Sequence, residues 1–196
     1  MPLNLSNMKE KFTQEQREEL DEIAENAITL HKQVNQFYDG KPYGYHLTRV
    51  AEVMDGISED LNPDYEDYRI LWFACFFHDS IEDARLTYND VLKIARYLGL
   101  SDDDATKATE IVYALTNEKG RTREERANSK YYQGIRETKY APFIKACDRM
   151  ANVRYAKETG SRMYEMYKKE MPDFLDKIHN DLNPIPPKLL EDLRCL

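Results

Sequence analysis

The stretch WFACFFHDSIEDARLTYNDV, Trp72–Val91, decides how this sequence of 196 residues is interpreted. Five of its first six side chains are large and apolar or are cysteine, which predicts a helix buried in a core. Directly after this apolar run come His78, Asp79, Glu82 and Asp83. Burying unpaired charge is costly, so these polar groups need compensation. They either decorate a helix end at the surface or hold a cation.

Apolar residues recur at helical spacing along nearly the whole chain, and capping residues mark where helices begin. Thr13 with Gln16 resembles a capping box, Thr87 and Ser101 are predicted N-caps, and Gly99 is a predicted stop. No strand alternation, internal repeat or low-complexity segment is visible, so the sequence predicts an all-α fold in a single domain. The predicted helical segments lie after Thr13, around His46–Met54, at Tyr68–Phe77, between Thr87 and Gly99, from Ser101 to about Leu115, around Glu124–Gln133, and at Ala141–Lys157.

Gly160 is predicted to end the main helical region of the chain. We therefore expect a core at residues 1–160 and a C-terminal helical extension at residues 161–196. The stretch SRMYEMYKKEM, which opens this extension, carries methionine and tyrosine side chains that suit packing on the core or a subunit contact. We predict packing on the core.

Composition limits the classes of protein to which the chain can belong. The formal net charge of −8 argues against a broad nucleic-acid-binding face, although an anionic small molecule could still bind at a local basic cluster or a metal. No apolar run approaches the roughly 20 residues that span a bilayer. The N-terminal stretch MPLNLSNMKEKFTQEQ lacks the apolar core of a signal peptide. Cys75, Cys147 and Cys195 form no CxxC pair, which is typical of reduced thiols, and we predict a cytoplasmic protein.

Four polar residues interrupt apolar helical segments. They are His46, His78, Asp79 and Asp148. Each residue alone is compatible with an ordinary hydrogen-bonded position in or near the core. Taken together, two imidazoles and two carboxylates form a mixed nitrogen and oxygen set that suits Mn²⁺, Fe²⁺ or Zn²⁺. The spacing between the four residues carries little weight by itself.

The order of these four residues resembles the signature of the HD-type metal-dependent phosphohydrolases. Within that group, three stretches resemble the hydrolase domain of the RelA/SpoT alarmone enzymes and the small stand-alone alarmone hydrolases. These stretches are GKPYGYHLTRVA, FFHDSIEDARLTYNDV and IKACDRMANVR, and ALTNEKGRTREER resembles the segment that precedes the last of them. The similarity covers about Leu20–Lys157, and the HDSIED and DRMAN stretches make it more specific than an HD pair alone.

The resemblance implies an HD-domain helical fold and a metal, usually Mn²⁺, bound by the four residues above. It also implies that Glu82 and Asp83 position or activate the attacking water, and that Asn152 contacts the nucleoside. The implied reaction is hydrolysis of a (p)ppGpp-like alarmone, which removes the 3′-pyrophosphate and returns GDP or GTP. A small-molecule nucleotide is therefore the expected partner, with neither a nucleic acid nor a membrane, and the oligomeric state stays open.

The chain departs from the family just before the first motif. Many relatives carry an Arg-Lys pair there, whereas the matching stretch here is NQFYDG, and Leu47 replaces the proline after the first histidine. Lys41 is the nearest basic residue. The other candidates to bind the substrate in place of the Arg-Lys pair are Lys119, Arg121, Arg123, Arg149 and Arg154.

This departure keeps two further functions open beside alarmone hydrolysis. One is another HD phosphohydrolase, such as a nucleoside-monophosphate or NADPH phosphatase. The other is a catalytically silent domain used for binding or regulation. The complete set of metal-ligand candidates and the intact Glu-Asp pair argue against the silent domain.

Overall fold

A computed structural model describes residues 8–196, except for the side chains of residues 123 and 124. The chain forms a short 3₁₀ helix at Met8–Lys11, α1 at Gln14–Gln33, β1 at Phe37–Tyr38, β2 at Lys41–Pro42, α2 at Gly44–Leu61, α3 at Tyr65–Phe77, α4 at Tyr88–Tyr97, α5 at Asp102–Leu115, α6 at Arg123–Arg126, α7 at Ser129–Glu137, α8 at Ala141–Glu158, α9 at Met163–Ile178 and α10 at Pro187–Arg194. The first seven residues, which belong to the predicted core and to the stretch considered for a signal peptide, lie outside the described part.

Helix α3 is the centre of the core. It packs against α1, α2, α5 and α8, and every residue from Tyr68 to Phe77 is buried. The rings of Phe73 and Phe77 stack with their centroids 4.2 Å apart, and neither side chain is exposed. Full burial of one such side chain stabilises a fold by about 1.5–3 kcal/mol. The apolar run of the opening stretch therefore fixes the position of the residues that follow it.

Side-chain capping explains where several of the helices begin. Thr13 and Gln16 form a capping box at α1, and Thr87 and Asp90 form another at α4. Ser101 accepts a hydrogen bond from the backbone of α5. The predicted all-α fold in a single domain is confirmed.

The structure corrects the sequence prediction at one short element. Residues Phe37–Tyr38 and Lys41–Pro42 pair as an antiparallel hairpin, although no strand was predicted. The connecting residues, Asp39 and Gly40, have φ angles of 47° and 76°. Positive φ at both positions is what the tight type I′ hairpin turn requires, and Asp-Gly is a preferred sequence for it. Strands of two residues are too short to show alternation.

One predicted helix is divided in the structure. The segment predicted as one helix around Glu124–Gln133 is divided into α6 and α7, because Asn128 adopts an extended backbone and caps α7. Helix α3 ends at Phe77, as predicted, and the next six residues form turns. The backbone N–H of Asp83 still donates to the carbonyl of Asp79 at 2.8 Å, so helical spacing persists locally.

The segment after Gly160 lies against the helices that precede it. Helix α9 packs on α7 and α8, and α10 packs on α8 and α9. The apolar side chains that α9 and α10 bury are Met171, Phe174, Leu175, Ile178, Leu189, Leu190 and Leu193. Among the described residues, no helix has the length and apolar character needed to cross a bilayer.

Candidate metal centre

Three polar side chains from α2 and the end of α3 meet at one point. His46 lies in the first turn of α2, His78 is the C-cap of α3, and Asp79 follows it. One ligand atom from each residue lies within 4.8 Å of the other two. The Oδ2 atom of Asp79 is 2.9 Å from His78 Nε2 and 3.8 Å from His46 Nε2. These three residues form a group that could hold a metal ion.

Helix α8 brings a fourth candidate ligand to the same point. Asp148 Oδ1 lies 3.4 Å from His46 Nε2 and 3.9 Å from His78 Nε2. Helix α8 reaches this position because it packs along α2 and also contacts α3. Both histidines are buried, and the side chain of Asp148 is 14% exposed. All four residues predicted to bind a metal are therefore close together.

The orientation of His78 suits a metal ligand. Its Nδ1 atom lies 2.8 Å from the carbonyl oxygen of Cys75, one turn earlier in the chain. That carbonyl can only accept, so Nδ1 carries a hydrogen, and Nε2 is the nitrogen that can bind a metal when the imidazole is neutral. Nε2 is buried and makes no hydrogen bond within the described part of the chain. Metal-binding histidines commonly use this arrangement, with one ring nitrogen held by a carbonyl and the other on the metal.

The pKa values of the side chains in this group depend on the charges of their neighbours. Burial alone would lower the pKa of His78, but the carboxylates of Asp79 and Asp148 raise it to about 9. Burial alone would raise the pKa of Asp79, whereas His78 holds it well below its usual range. The pKa of Asp148 is also lowered, mainly by Lys145, against the effect of burial. The carboxylates therefore stay ionised and favour a cation between them.

Aromatic residues support the Asp79 side of the group. The hydroxyl of Tyr43 donates to Asp79 Oδ2 at 2.5 Å. The ring of Tyr43 in turn stacks on His31, with centroids 4.6 Å apart. His31 is fully buried, neither of its ring nitrogens makes a hydrogen bond to a described residue, and burial lowers its pKa to about 4. Tyr43 is part of the GKPYGYH stretch, but neither residue was predicted to support the site.

A second set of contacts supports the Asp148 side. The side-chain amide of Asn152 donates to Asp148 Oδ1 at 2.6 Å, and Lys145 lies 3.1 Å from Asp148 Oδ2. The hydroxyl of Tyr38, in β1, donates to the amide oxygen of Asn152 at 2.7 Å. The Tyr38 ring also stacks on His46, with centroids 4.7 Å apart. The hairpin, which was not predicted, therefore helps to hold His46 and Asn152 in position.

The predicted acidic pair, Glu82 and Asp83, lies beside the group in the turns after α3. The amide of Asn117 donates to both carboxylate oxygens of Glu82, at 3.0 and 2.9 Å. Asp83 accepts from the amide of Gln36 at 3.2 Å. Burial and the neighbouring Asp79 raise the pKa of Asp83. The two carboxylates therefore have different partners, and their part in activating water stays a prediction.

The predicted substrate contacts lie at different places. Arg149 lies over the rings of Tyr167 and Phe174, at 4.9 and 4.3 Å from their centroids, and forms an ion pair with Glu170. Lys41 is exposed and lies over the ring of Tyr45.

Arg121 is exposed too, and its backbone N–H donates to Glu125 at 2.6 Å. The side chain of Arg123 lies outside the described part of the chain. The parts that the candidate residues play in binding a substrate stay predictions.

Two cavities share Asn152 and Tyr167 in their lining. The first, which we call the cationic cavity, has a volume of about 220 Å³ and also includes Asp148. Its basic lining residues are Arg126, Lys145 and Arg149. The second, which we call the hairpin cavity, has a volume of about 250 Å³ and is lined by Tyr38, Asp39, Asn152, Tyr155, Ala156, Ser161, Met163 and Tyr167. Neither Lys41 nor Arg121 lines either cavity.

A larger cavity of about 400 Å³ lies between α9 and α10, but none of the predicted site residues whose side chains the structure describes lines it. Size alone therefore does not mark the candidate site. Comparison of the chain with models of protein families, with curated proteins and with solved structures finds no match. A function for the chain must therefore be inferred from the chemistry of the residues at the candidate metal centre and in the cavities beside it.

Proposed function

We propose that this protein is a metal-dependent phosphohydrolase that acts on a phosphorylated nucleotide. The observation that carries the proposal is the meeting of His46, His78, Asp79 and Asp148 beside a cavity with three basic side chains. Two imidazoles and two carboxylates are a ligand set for a divalent transition metal. Basic side chains next to such a set favour an anionic substrate. Phosphoryl groups are the anionic groups that such side chains commonly bind.

The residues that would hold the metal are the four just named, and Mn²⁺ is the ion we propose. Imidazole ligands disfavour the harder Mg²⁺, while the carboxylates suit Mn²⁺ as well as Fe²⁺ or Zn²⁺. A divalent ion held there would polarise a phosphoryl oxygen and lower the pKa of a water molecule. The contacts of His78 with Cys75 and of Asp79 with Tyr43 would keep the ligands oriented.

The residues around the group have separate parts in the proposed reaction. Lys145 and Arg126 line the cationic cavity and would partly neutralise the phosphoryl oxygens. Glu82, held by Asn117, would take a proton from the attacking water. Asp83, which accepts from the amide of Gln36, would help to position the same water.

The specific reaction we propose is hydrolysis of a (p)ppGpp-like alarmone at its 3′-pyrophosphate. The oxygen of water forms a bond to the phosphorus attached to the ribose 3′-oxygen, and the bond from that phosphorus to the 3′-oxygen breaks. The 3′-oxygen takes up a proton, so the products are pyrophosphate and GDP or GTP. The resemblance of the HDSIED and DRMAN stretches to alarmone hydrolases supports this choice.

A second candidate is another phosphohydrolase, such as a nucleoside-monophosphate or NADPH phosphatase. The hairpin supports it, because Tyr38 and Asp39 occupy the region where many alarmone hydrolases carry an Arg-Lys pair. A substrate with fewer phosphates needs fewer basic contacts.

The test is a panel of guanosine and adenosine alarmones, nucleoside monophosphates and NADPH, incubated with the purified full-length protein and Mn²⁺. We expect release of pyrophosphate from a guanosine alarmone, its loss in excess chelator, and its recovery when Mn²⁺ is restored. Release of inorganic phosphate from a monophosphate or NADPH instead would favour the second candidate. An Asp148→Asn variant serves as the control for contaminating activity. If no phosphorylated nucleotide is hydrolysed, or if the rate survives chelation, the proposed function is wrong.

A further inference from the structure

The hairpin holds one carboxylate at the edge of the hairpin cavity. Asp39 lies in the two-residue turn between β1 and β2, where Tyr38 pairs with Lys41. Both turn residues have positive φ, which fixes the backbone direction in a tight turn. Asp39 is therefore held on a short and constrained loop next to Tyr38, whose ring stacks on His46 of the candidate metal centre.

The two cavities differ in charge. The cationic cavity has three basic side chains, whereas the described lining of the hairpin cavity contains no Lys or Arg, and Asp39 is its charged residue. A phosphoryl group therefore suits the first cavity and is disfavoured in the second. Because both cavities share Asn152, a single ligand could extend from one to the other. Such a ligand needs an anionic end and an uncharged end with hydrogen-bond donors.

The carboxylate of Asp39 is exposed and lines the cavity, so it can accept from such a donor. The hydroxyl of Tyr155 donates to Asp39 Oδ2 at 2.8 Å, which restrains the carboxylate against the wall of the cavity. A carboxylate has about four acceptor positions on its two oxygens, so it can accept further N–H groups. The rings of Tyr38 and Tyr155 pack edge to face with centroids 5.0 Å apart, and they give this cavity an aromatic wall suited to a flat ligand.

We infer that the hairpin cavity receives the base of the nucleotide and that Asp39 makes the protein select guanine. Guanine presents two neighbouring N–H donors, at N1 and at the 2-amino group, that one carboxylate can accept together. Adenine presents its 6-amino donor beside the N1 acceptor, whose lone pair would face the carboxylate. This inference rests on the proposed function, because it assigns the base of the same nucleotide whose phosphoryl group lies at the candidate metal centre.

The experiment is calorimetric titration of the full-length, metal-loaded protein with guanosine, inosine and adenosine 5′-monophosphates. Inosine keeps the N1 donor and lacks the 2-amino group, so the expected order of affinity is guanosine, inosine, adenosine. A charge-assisted pair of hydrogen bonds should make guanosine bind on the order of tenfold more tightly than adenosine. Asp39→Asn, which also tolerates the turn, should reduce that ratio to within about threefold, because an amide has only one acceptor.

The matched control is Asp181→Asn, which removes the same charge from an exposed position outside the two cavities. It should keep the guanosine preference. Equal binding of the three nucleotides by the wild-type protein, no measurable binding of any, or an undiminished preference in Asp39→Asn would each overturn the inference. Metal content and hydrolysis are measured on the same samples. Selective binding without hydrolysis would contradict only the proposed function, and hydrolysis without base preference would contradict only this inference.

Discussion

The side-chain nitrogen of Asn152 lies 2.6 Å from Oδ1 of Asp148, the carboxylate oxygen that faces both imidazoles of the candidate metal centre. The oxygen of the same amide accepts from Tyr38 in the hairpin. Asn152 thus links the metal centre to the wall of the hairpin cavity. We expect any ligand in that cavity to depend on this amide.

The first prediction concerns Asn152→Ala at saturating metal. Losing a hydrogen bond to the nucleotide should cost about 1 kcal/mol, which corresponds to roughly a fivefold weaker affinity. The loss of support for Asp148 should also weaken metal binding, by roughly tenfold. Titration of metal and of nucleotide measures the two effects separately. Tyr38→Phe is the control, because it keeps the ring on His46 and removes only the hydroxyl; its effect should be smaller. Wild-type affinities for both ligands in Asn152→Ala would make this residue a purely structural one.

The second prediction concerns the carboxylate of Glu82. Glu82→Gln removes the negative charge and leaves a side chain of the same shape, while the four candidate metal ligands are untouched. Turnover should fall by roughly 10²–10⁴-fold, the usual range for a positioned acid–base group. Metal content, measured by elemental analysis, should stay near that of the wild-type protein. Glu25→Gln, an exposed position on α1, is the control for the substitution itself. Full turnover by the Glu82→Gln protein would show that this carboxylate takes no part in catalysis and is only a solvated side chain that Asn117 contacts.

The third prediction separates metal binding from the rest of the fold. His78→Ala removes the imidazole whose Nδ1 is fixed by the Cys75 carbonyl, so the protein should lose bound metal and hydrolysis together. His179→Ala, on the C-terminal segment, should keep both. The circular-dichroism spectrum of each variant checks that the helices persist. A metal-loaded His78→Ala protein would show that the other three residues are sufficient, and the assigned ligand set would then be wrong.

The helices could be predicted from sequence because their signals are local. Capping residues such as Thr13, Thr87 and Ser101 indicate where a helix begins. The apolar run that ends at Phe77 identifies the central helix. The hairpin could not be predicted from alternation, since two-residue strands show none. The Asp39–Gly40 dipeptide was the signal that could have indicated it, because both residues tolerate positive φ.

The candidate ligands could be predicted because imidazoles and carboxylates inside apolar helices are unusual. Their supporting contacts could not, since they join residues far apart in sequence. Tyr38 and Asn152 are separated by 114 positions, and Asn117 and Glu82 by 35. Such pairs depend on how α2, α3 and α8 pack, which one sequence does not specify. Lys145 and Tyr43 lay inside recognised stretches, yet their partners became visible only in three dimensions.

The last prediction concerns the dependence of stability on pH and the buried residue His31. Burial lowers the pKa of His31 to about 4 in the folded protein, against 6.5 in an unfolded chain. Between these values the unfolded chain binds a proton that the folded protein does not, so the free energy of unfolding falls as pH decreases from 6.5 to 4. A shift of this size corresponds to a loss on the order of 3 kcal/mol across that window. His31→Phe keeps a ring to stack on Tyr43 and cannot be protonated, so its free energy of unfolding should fall less over the same range. Urea denaturation of both proteins at pH 7.5, 6, 5 and 4 measures the difference, and effects common to both proteins cancel. Parallel curves for the two proteins would show that His31 does not carry the predicted acid sensitivity.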